Sequence, residues 1–318
     1  MRASPLSLRL LAPTLAALAC AMPALAADAV VGVPADPTFE PAPMRSILLG
    51  IGAGVAPTYE GSDEYRVFPF PLFSYDSGVD GPRRFEFRAL DDIRLHAVRF
   101  GGLSVGVIGG YSFGRDEDDG DILDGLGDVD GGVIGGGFVS FDYEINPAAR
   151  IGADVGIKTQ FTGDAFDESP FLGLPVGVRD RIEDNYGYGY EIDFGVSGEF
   201  DLTPRLNLAT RVGATYASDE YMRTYFGVNA AQSAAAAANG NVVPVFGVGA
   251  NPNFADAIDG QVKNVYVNAN VAWDVTEKVQ LRAGAGYSRL IGDAADSPIS
   301  VSDNQFSGSL GVAYRFKF

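Results

Sequence analysis

The chain has 318 residues, 47% of them hydrophobic, with 41 Gly, 21 Phe, 14 Tyr and one Cys, and a formal net charge of −18. That acidity excludes the basic footprint nucleic-acid binding requires, and a lone cysteine excludes an internal disulfide. Beyond the first 26 residues no apolar run reaches the roughly 18 residues of a membrane helix, so any crossing of a bilayer falls to strands closed into a barrel.

Arg2 and Arg9 form a positive n-region, 10–22 is largely apolar, and Ala24-Leu25-Ala26 fits a small-x-small cleavage site. Residues 1–26 therefore read as a secretory signal peptide. Ala17-Leu18-Ala19 before Cys20 lacks the leucine that lipid attachment wants three positions ahead, so Cys20 is expected to leave with the signal. Without Arg2 and Arg9 the mature chain carries 21 basic against 41 acidic residues, a net charge of −20. Pro34, Pro37, Pro41 and Pro43 make 27–44 an extended periplasmic lead-in.

From 45 to 318 the pattern is alternation. Strands are expected at 46–57, 66–76, 83–90, 92–99, 102–114, 132–145, 149–161, 186–200, 205–218, 262–275, 278–291 and 304–318, the third and fourth being the weakest. In the fifth, Leu103, Val105, Val107, Gly109, Tyr111 and Phe113 share one face; in the tenth, Val265, Val267, Ala269, Val271, Trp273 and Val275 do. At the C-terminus Phe306, Gly308, Leu310, Val312, Tyr314, Phe316 and Phe318 alternate with Ser307, Ser309, Gly311, Ala313, Arg315 and Lys317. A strand with lipid on one side and a polar lumen on the other needs this period of two. By itself such a strand also fits the edge of a soluble sheet. The connections decide between them. Those at 99–102, 146–149, 201–205 and 276–278 are short, and the intervening ones include long loops near 115–131, 162–185 and 219–261. Short periplasmic turns and long outer loops mark a transmembrane barrel. The fold class is therefore an all-β antiparallel transmembrane β-barrel of about twelve strands, ten being the other even count that fits.

Few residues invite chemistry. His96, the sole histidine, is a candidate base for an outer-membrane hydrolase, but a lone histidine on a strand is more often a lumen or interface residue. No Gly-x-Ser-x-Gly elbow, metal-spaced His/Cys set or phosphate-cradling Gly-Lys-Ser/Thr occurs. No catalytic, cofactor-binding or metal-ligating residue is assigned, and no enzymatic activity is expected. Five of the seven residues 115–121 are acidic, with Asp124, Asp128 and Asp130 following. Such density can hold Ca²⁺, but the spacing is not that of an EF-hand, and a solvated loop is the simpler reading. Residues 230–238, nearly all alanine, are either a short rim helix or a flexible tract. The aromatics of 221–228 suit the outer girdle at headgroup level. Arg88, Lys158, Arg211 and Arg282 are candidates for the lumen.

Tyr59-Glu60-Gly61-Ser62-Asp63-Glu64-Tyr65-Arg66-Val67, Pro69-Phe70-Pro71-Leu72, Gly114-Arg115-Asp116-Glu117-Asp118-Asp119, Leu123-Asp124-Gly125-Leu126-Gly127-Asp128, the stretches 221–228 and 288–298 and the terminal Tyr314-Arg315-Phe316 together resemble the MipA/OmpV family of outer-membrane proteins. The resemblance covers 45–318 and implies a bacterial outer-membrane barrel in contact with lipid and lipopolysaccharide. For the family's namesake it implies a non-enzymatic scaffold joining a lytic transglycosylase to a peptidoglycan synthase. Other members are linked to antibiotic or osmotic response or adhesion, so fold alone does not fix function. A scaffold would use the periplasmic turns and the lead-in. The competing expectations are a small-solute channel and a His96 hydrolase.

Overall fold

A computed structural model describes residues 46–76, 85–162, 189–247 and 258–317. The expected signal and lead-in lie outside these residues. Twelve antiparallel strands follow one another: β1 (Ser46–Pro57), β2 (Tyr65–Asp76), β3 (Phe85–Ala89), β4 (Asp92–Phe100), β5 (Leu103–Ser112), β6 (Gly132–Asn146), β7 (Ala149–Thr162), β8 (Tyr190–Thr203), β9 (Leu206–Ala217), β10 (Gln261–Asp274), β11 (Val279–Leu290) and β12 (Asn304–Lys317). Their bounds differ from the sequence expectation by only a few residues.

The strands form one sheet in the order β2-β1-β12-β11-β10-β9-β8-β7-β6-β5-β4-β3. The first strand thus pairs with the last, from Ser46↔Lys317 to Val55↔Gly308, as an up-and-down barrel requires. The two ends of the sheet, β2 and β3, are neighbours in the chain and meet edge-on at Phe73 and Phe85, whose ring centroids are 5.3 Å apart.

Side chains alternate between the two faces, most cleanly in β1 and β5. Along β5, Leu103, Val105 and Val107 are exposed while Ser104 and Ile108 are buried. On the outer face Ile51, Val67 and Leu310 are 73%, 74% and 69% exposed. A water-soluble protein does not show so continuous an apolar surface; this one is a lipid-facing belt. Exposed aromatics mark both of its borders, Tyr111, Phe113 and Phe306 towards the long loops, and Tyr143, Trp273 and Phe316 towards the short turns. Among the described residues no helix is long and apolar enough to cross a membrane.

Turns of a few residues join β4 to β5, β6 to β7, β8 to β9 and β10 to β11 on the side of both termini. The opposite end carries the longer connections, with one exception. Leu90 and Asp91 alone join β3 to β4, and the Leu90 carbonyl accepts the Tyr111 amide at 2.9 Å. The alanine run is helical: α1 (Asp219–Phe226) and α2 (Ala230–Ala238) lie between β9 and β10. α2 starts on a reciprocal capping box between Asn229 and Gln232, which fixes its first turn. A one-turn helix, α3 (Asp293–Asp296), follows β11.

Candidate functional site

The inner face of β7 reads Gly152, Asp154, Gly156, Lys158, Gln160, and its two charges seed two layers of ion pairs across the lumen. In the layer nearer the periplasm, Asp154 accepts from three arginines. Arg94 Nη1 approaches at 2.6 Å, Arg88 Nη1 at 3.0 Å, and Arg211 reaches both carboxylate oxygens. Each arginine also holds a second carboxylate: Arg88 binds Glu86 at 2.8 Å, Arg94 binds Asp92 at 2.8 Å, and Arg211 binds Asp193. Tyr266 donates its hydroxyl to Asp193 at 2.6 Å and accepts from Arg211 Nε at 2.8 Å. The side chains of Arg94 and Asp154 are 1% and 2% exposed, so both charges are shut off from solvent. Small residues make the room. A Cβ on Gly156 would stand 3.2 Å from Arg94 Nη2, and one on Gly195 2.8 Å from Arg211 Cζ. Buried charges persist only when paired and hydrogen-bonded, and here every guanidinium has two anionic partners.

The outer layer runs from wall to wall. Lys158 Nζ binds Asp91 at 2.5 Å and Glu191 at 3.4 Å. Lys263, 2% exposed, binds Glu191 and Glu60, each at 2.7 Å. Its ammonium also donates to the Tyr221 hydroxyl at 2.9 Å and lies 4.2 Å from the centre of that ring. The chain Asp91–Lys158–Glu191–Lys263–Glu60 therefore spans from the β3–β4 turn to the β1–β2 loop.

Above it the outer loops fold into a cap with two apolar clusters. One gathers Tyr59, Leu123, Leu126, Val228, Ala236, Val243 and Ile299 from four different connections; the other holds Met222, Phe226, Ile258, Leu290 and Ala294. Polar contacts tie the loops together: Gln232 Nε2 to the Leu126 carbonyl at 2.8 Å, Asn239 Nδ2 to Asp124 at 2.7 Å, and Ser297 Oγ to the Phe226 carbonyl at 2.6 Å. Tyr59 donates to the Ile299 carbonyl at 3.0 Å, and burial pushes its phenol up to about 12.

Arg88, Lys158 and Arg211 stand on the inner face within these networks, and Arg282 stands there with its Nε 2.8 Å from Gln280 Oε1. His96 packs edge-on against Phe138 at 4.8 Å, with Nε2 3.7 Å from Glu86 and Nδ1 buried without a hydrogen-bond partner. It belongs to the wall of the arginine layer. The acids of the 113–131 loop brace that loop. Asp119 meets Arg66 at 3.3 Å, Asp128 accepts the Glu117 amide at 2.8 Å, and Glu117 accepts the Gly125 amide at 3.3 Å. The expectation for 221–228 is corrected. Tyr221 and Tyr225, one helical turn apart, stack at 4.4 Å on the inward face of α1, and their hydroxyls donate to Glu60 and Gln160 rather than reaching headgroups. Alternation places Asp154 on the inner face, but its partners lie 57 to 66 residues away, beyond the reach of local spacing.

The family model described as MltA-interacting protein MipA matches residues 49–316. No curated protein matches the sequence. Among solved structures the chain is similar to the NanC porin, with 8% identity over 84% of this chain and 98% of that one, at a TM-score of 0.39. It is also similar to the outer-membrane channel DcaP of Acinetobacter baumannii, with 10% identity over 88% and 99% at 0.33. OmpT of Vibrio cholerae matches with 12% identity over 71% and 55% at 0.31.

Proposed function

This chain belongs to the MltA-interacting protein MipA family, and from that premise we propose that it is a closed, non-enzymatic barrel that serves as a scaffold for peptidoglycan-remodelling enzymes. It is a protein of the bacterial outer membrane. The partners proposed are a lytic transglycosylase, the class suggested by the family's description, and a peptidoglycan synthase.

The observation that carries the reading is the double charge layer beneath a packed cap. The arginine layer sets Arg88, Arg94 and Arg211 against Glu86, Asp92, Asp154 and Asp193; the outer layer sets Lys158 and Lys263 against Glu60, Asp91 and Glu191. A selective pore presents a ring of unspent charge or dipoles to its solute. Here the fixed cations are already engaged, and the interior serves rigidity. Function then falls to the surfaces, and murein enzymes work on the periplasmic side, where the short turns lie and where the 27–44 lead-in is expected.

The test is an affinity pull-down from periplasmic and membrane extract with the folded, detergent-solubilised barrel, read by mass spectrometry. Enrichment of both enzymes is expected, and its loss when 27–44 is deleted and the short turns are exchanged. Recovery of neither enzyme, or unchanged recovery by the altered barrel, refutes the scaffold. A channel is the second reading, favoured by the 19% and 16% exposure that Arg88 and Lys158 keep within the lumen. Stable single-channel conductance that changes when those residues are neutralised would put it first.

A further inference from the structure

Every junction between neighbouring strands among the described residues is a hydrogen-bonded ladder except one. Among the described residues no ladder joins β2 to β3, although Phe73 and Phe85 touch across the gap. The sequence of β2 accounts for this. β2 holds an unbroken register with β1 from Ser46↔Asp76 to Pro57↔Tyr65, straight through Ile51↔Pro71 and Ala53↔Pro69. A proline has no N–H, so it can sit in such a ladder only with its nitrogen turned to the other side. Pro69 and Pro71 therefore strip two donors from the edge that faces β3. β3 itself spans five residues against twelve for β2. Counted from the Phe73–Phe85 contact, it ends near the level of Pro69 and leaves the outer end of β2 with no strand opposite among the described residues. Unpaired backbone donors are costly in hydrocarbon; with those two deleted, this junction parts at lower cost than a full ladder.

The wall inside the junction is also unlike the rest of the lumen. Val67, Pro69, Pro71 and Phe73 face outward, so the alternate residues Phe68, Phe70 and Leu72 face inward. Leu72 packs with Leu48, Ala313 and Phe70. Phe70 and Phe68 lie against β1, where a Cβ on Gly52 or Gly54 would stand 2.5 or 2.7 Å from their Cζ atoms. The lumen beside β1 and β2 is thus an apolar surface. It continues through the junction into the lipid-facing belt at Phe73 and Phe85, whereas the charged layers are built on β3, β4, β7, β8, β9 and β10.

We propose that the β2–β3 junction is a lateral port that admits an acyl chain of a membrane lipid onto the apolar wall formed by Phe68, Phe70 and Leu72. An acyl chain needs no hydrogen bonds from an edge that has lost its donors, and it is the apolar group at hand on the outer side of the port. β3 is held from within by Arg88 on Asp154 and β2 by its ladder to β1, so the two edges can part while each strand keeps its other partner. The proposal does not depend on the scaffold reading, and either can fail alone.

The test uses the full mature chain refolded into bilayers of phosphatidylcholine brominated on its acyl chains, which quench nearby tryptophan. The single tryptophan, Trp273, faces lipid at 49% exposure and gives the fully quenched reference. In a Trp273→Phe background, Phe70→Trp reports from the inner wall, and Phe68→Trp is a second probe should the first not show the gel shift of a folded barrel. Because the chain's only other cysteine, Cys20, falls in the expected signal, Phe73→Cys with Phe85→Cys supplies a lock. Quenching of the inner tryptophan comparable to the reference, lost on oxidising the lock and regained on reduction, is the expected result. An unquenched inner tryptophan overturns the port, and so does quenching that persists through the closed lock.

Discussion

Replacing Asp154 by asparagine removes one charge and keeps the side chain's volume, so it isolates the hub of the arginine layer. Removing one member of a buried ion pair costs about 3–5 kcal/mol when the other charge is abandoned. Here none is abandoned: Arg88 keeps Glu86, Arg94 keeps Asp92 and Arg211 keeps Asp193. The retained pairs bring the expected loss down to about 2–3 kcal/mol by the same reasoning. With a denaturant slope of about 3 kcal/mol per molar, that lowers the urea midpoint of barrel unfolding by roughly 1 M. A second consequence is mechanical. The retained pairs lie within β3, within β4 or between adjacent β8 and β9, whereas the Asp154 contacts of Arg88 and Arg94 cross from β3 and β4 to β7. Without that anchor those two guanidiniums fall back to their own strands and the layer opens. Planar-bilayer recording should find the native barrel silent and Asp154→Asn conducting in steps once the cap is shortened. An unshifted midpoint together with a silent trace would show that Asp154 does not hold the lumen closed.

Lys263→Met deprives Glu60 and the inward Glu191 of their shared cation; because Glu191 keeps Lys158 and Glu60 is partly open to solvent, the expected loss is about 2–3 kcal/mol, and it should speed proteolysis of the 218–260 connection while the barrel persists on gels. A Cβ at Gly50 would meet the Val312 carbonyl oxygen at 2.2 Å and Ala313 Cα at 2.6 Å, whereas one at Gly109 meets nothing within 4 Å. Gly50→Val is therefore expected to abolish the heat-modifiable folded band and Gly109→Val to keep it. Tyr59 ionises near 12 when folded and near 10 when free. Its contribution to the cap is fully present below pH 10 and declines as pH rises towards 12, because the unfolded loop loses the proton first. Cap proteolysis should accelerate over that window in the native protein, and Tyr59→Phe should flatten the dependence.

The parts of this fold legible in the sequence are those set by a boundary between solvents. Lipid on one side forces the alternation at Leu103, Val105 and Val107, and turn chemistry at Asn146-Pro147 and Thr203-Pro204 fixes where it stops. Because these signals are local, twelve strands could be placed within a few residues. The interior is not local. Asp154, Glu191 and Lys263 each look like isolated charges on an inner face, and only the closed cylinder brings partners from distant strands within hydrogen-bond reach. The neighbouring glycines carry a faint signal, since Gly156 and Gly195 leave space that a guanidinium takes. The tyrosines of α1 misled for a related reason. A Tyr-x-x-x-Tyr pair suits both a headgroup girdle and an inward helical face, and the choice rests on Lys263 and Gln160, far along the chain.

The lumen is divided by the way its two sides are held. On the side of β3, β4 and β7 to β10, opening requires several mutually neutralising charges to lose their partners together, a cooperative cost that grows with each pair broken. On the side of β1 and β2, phenyl rings lie on glycines and can slide without exposing a charge. The junction that lacks a ladder borders this second side. Motion is therefore directed sideways into the membrane rather than along the barrel axis. The short turns between β6 and β7 and between β8 and β9 stay fixed beneath the locked layers, which is what a partner-binding surface on the periplasmic side requires.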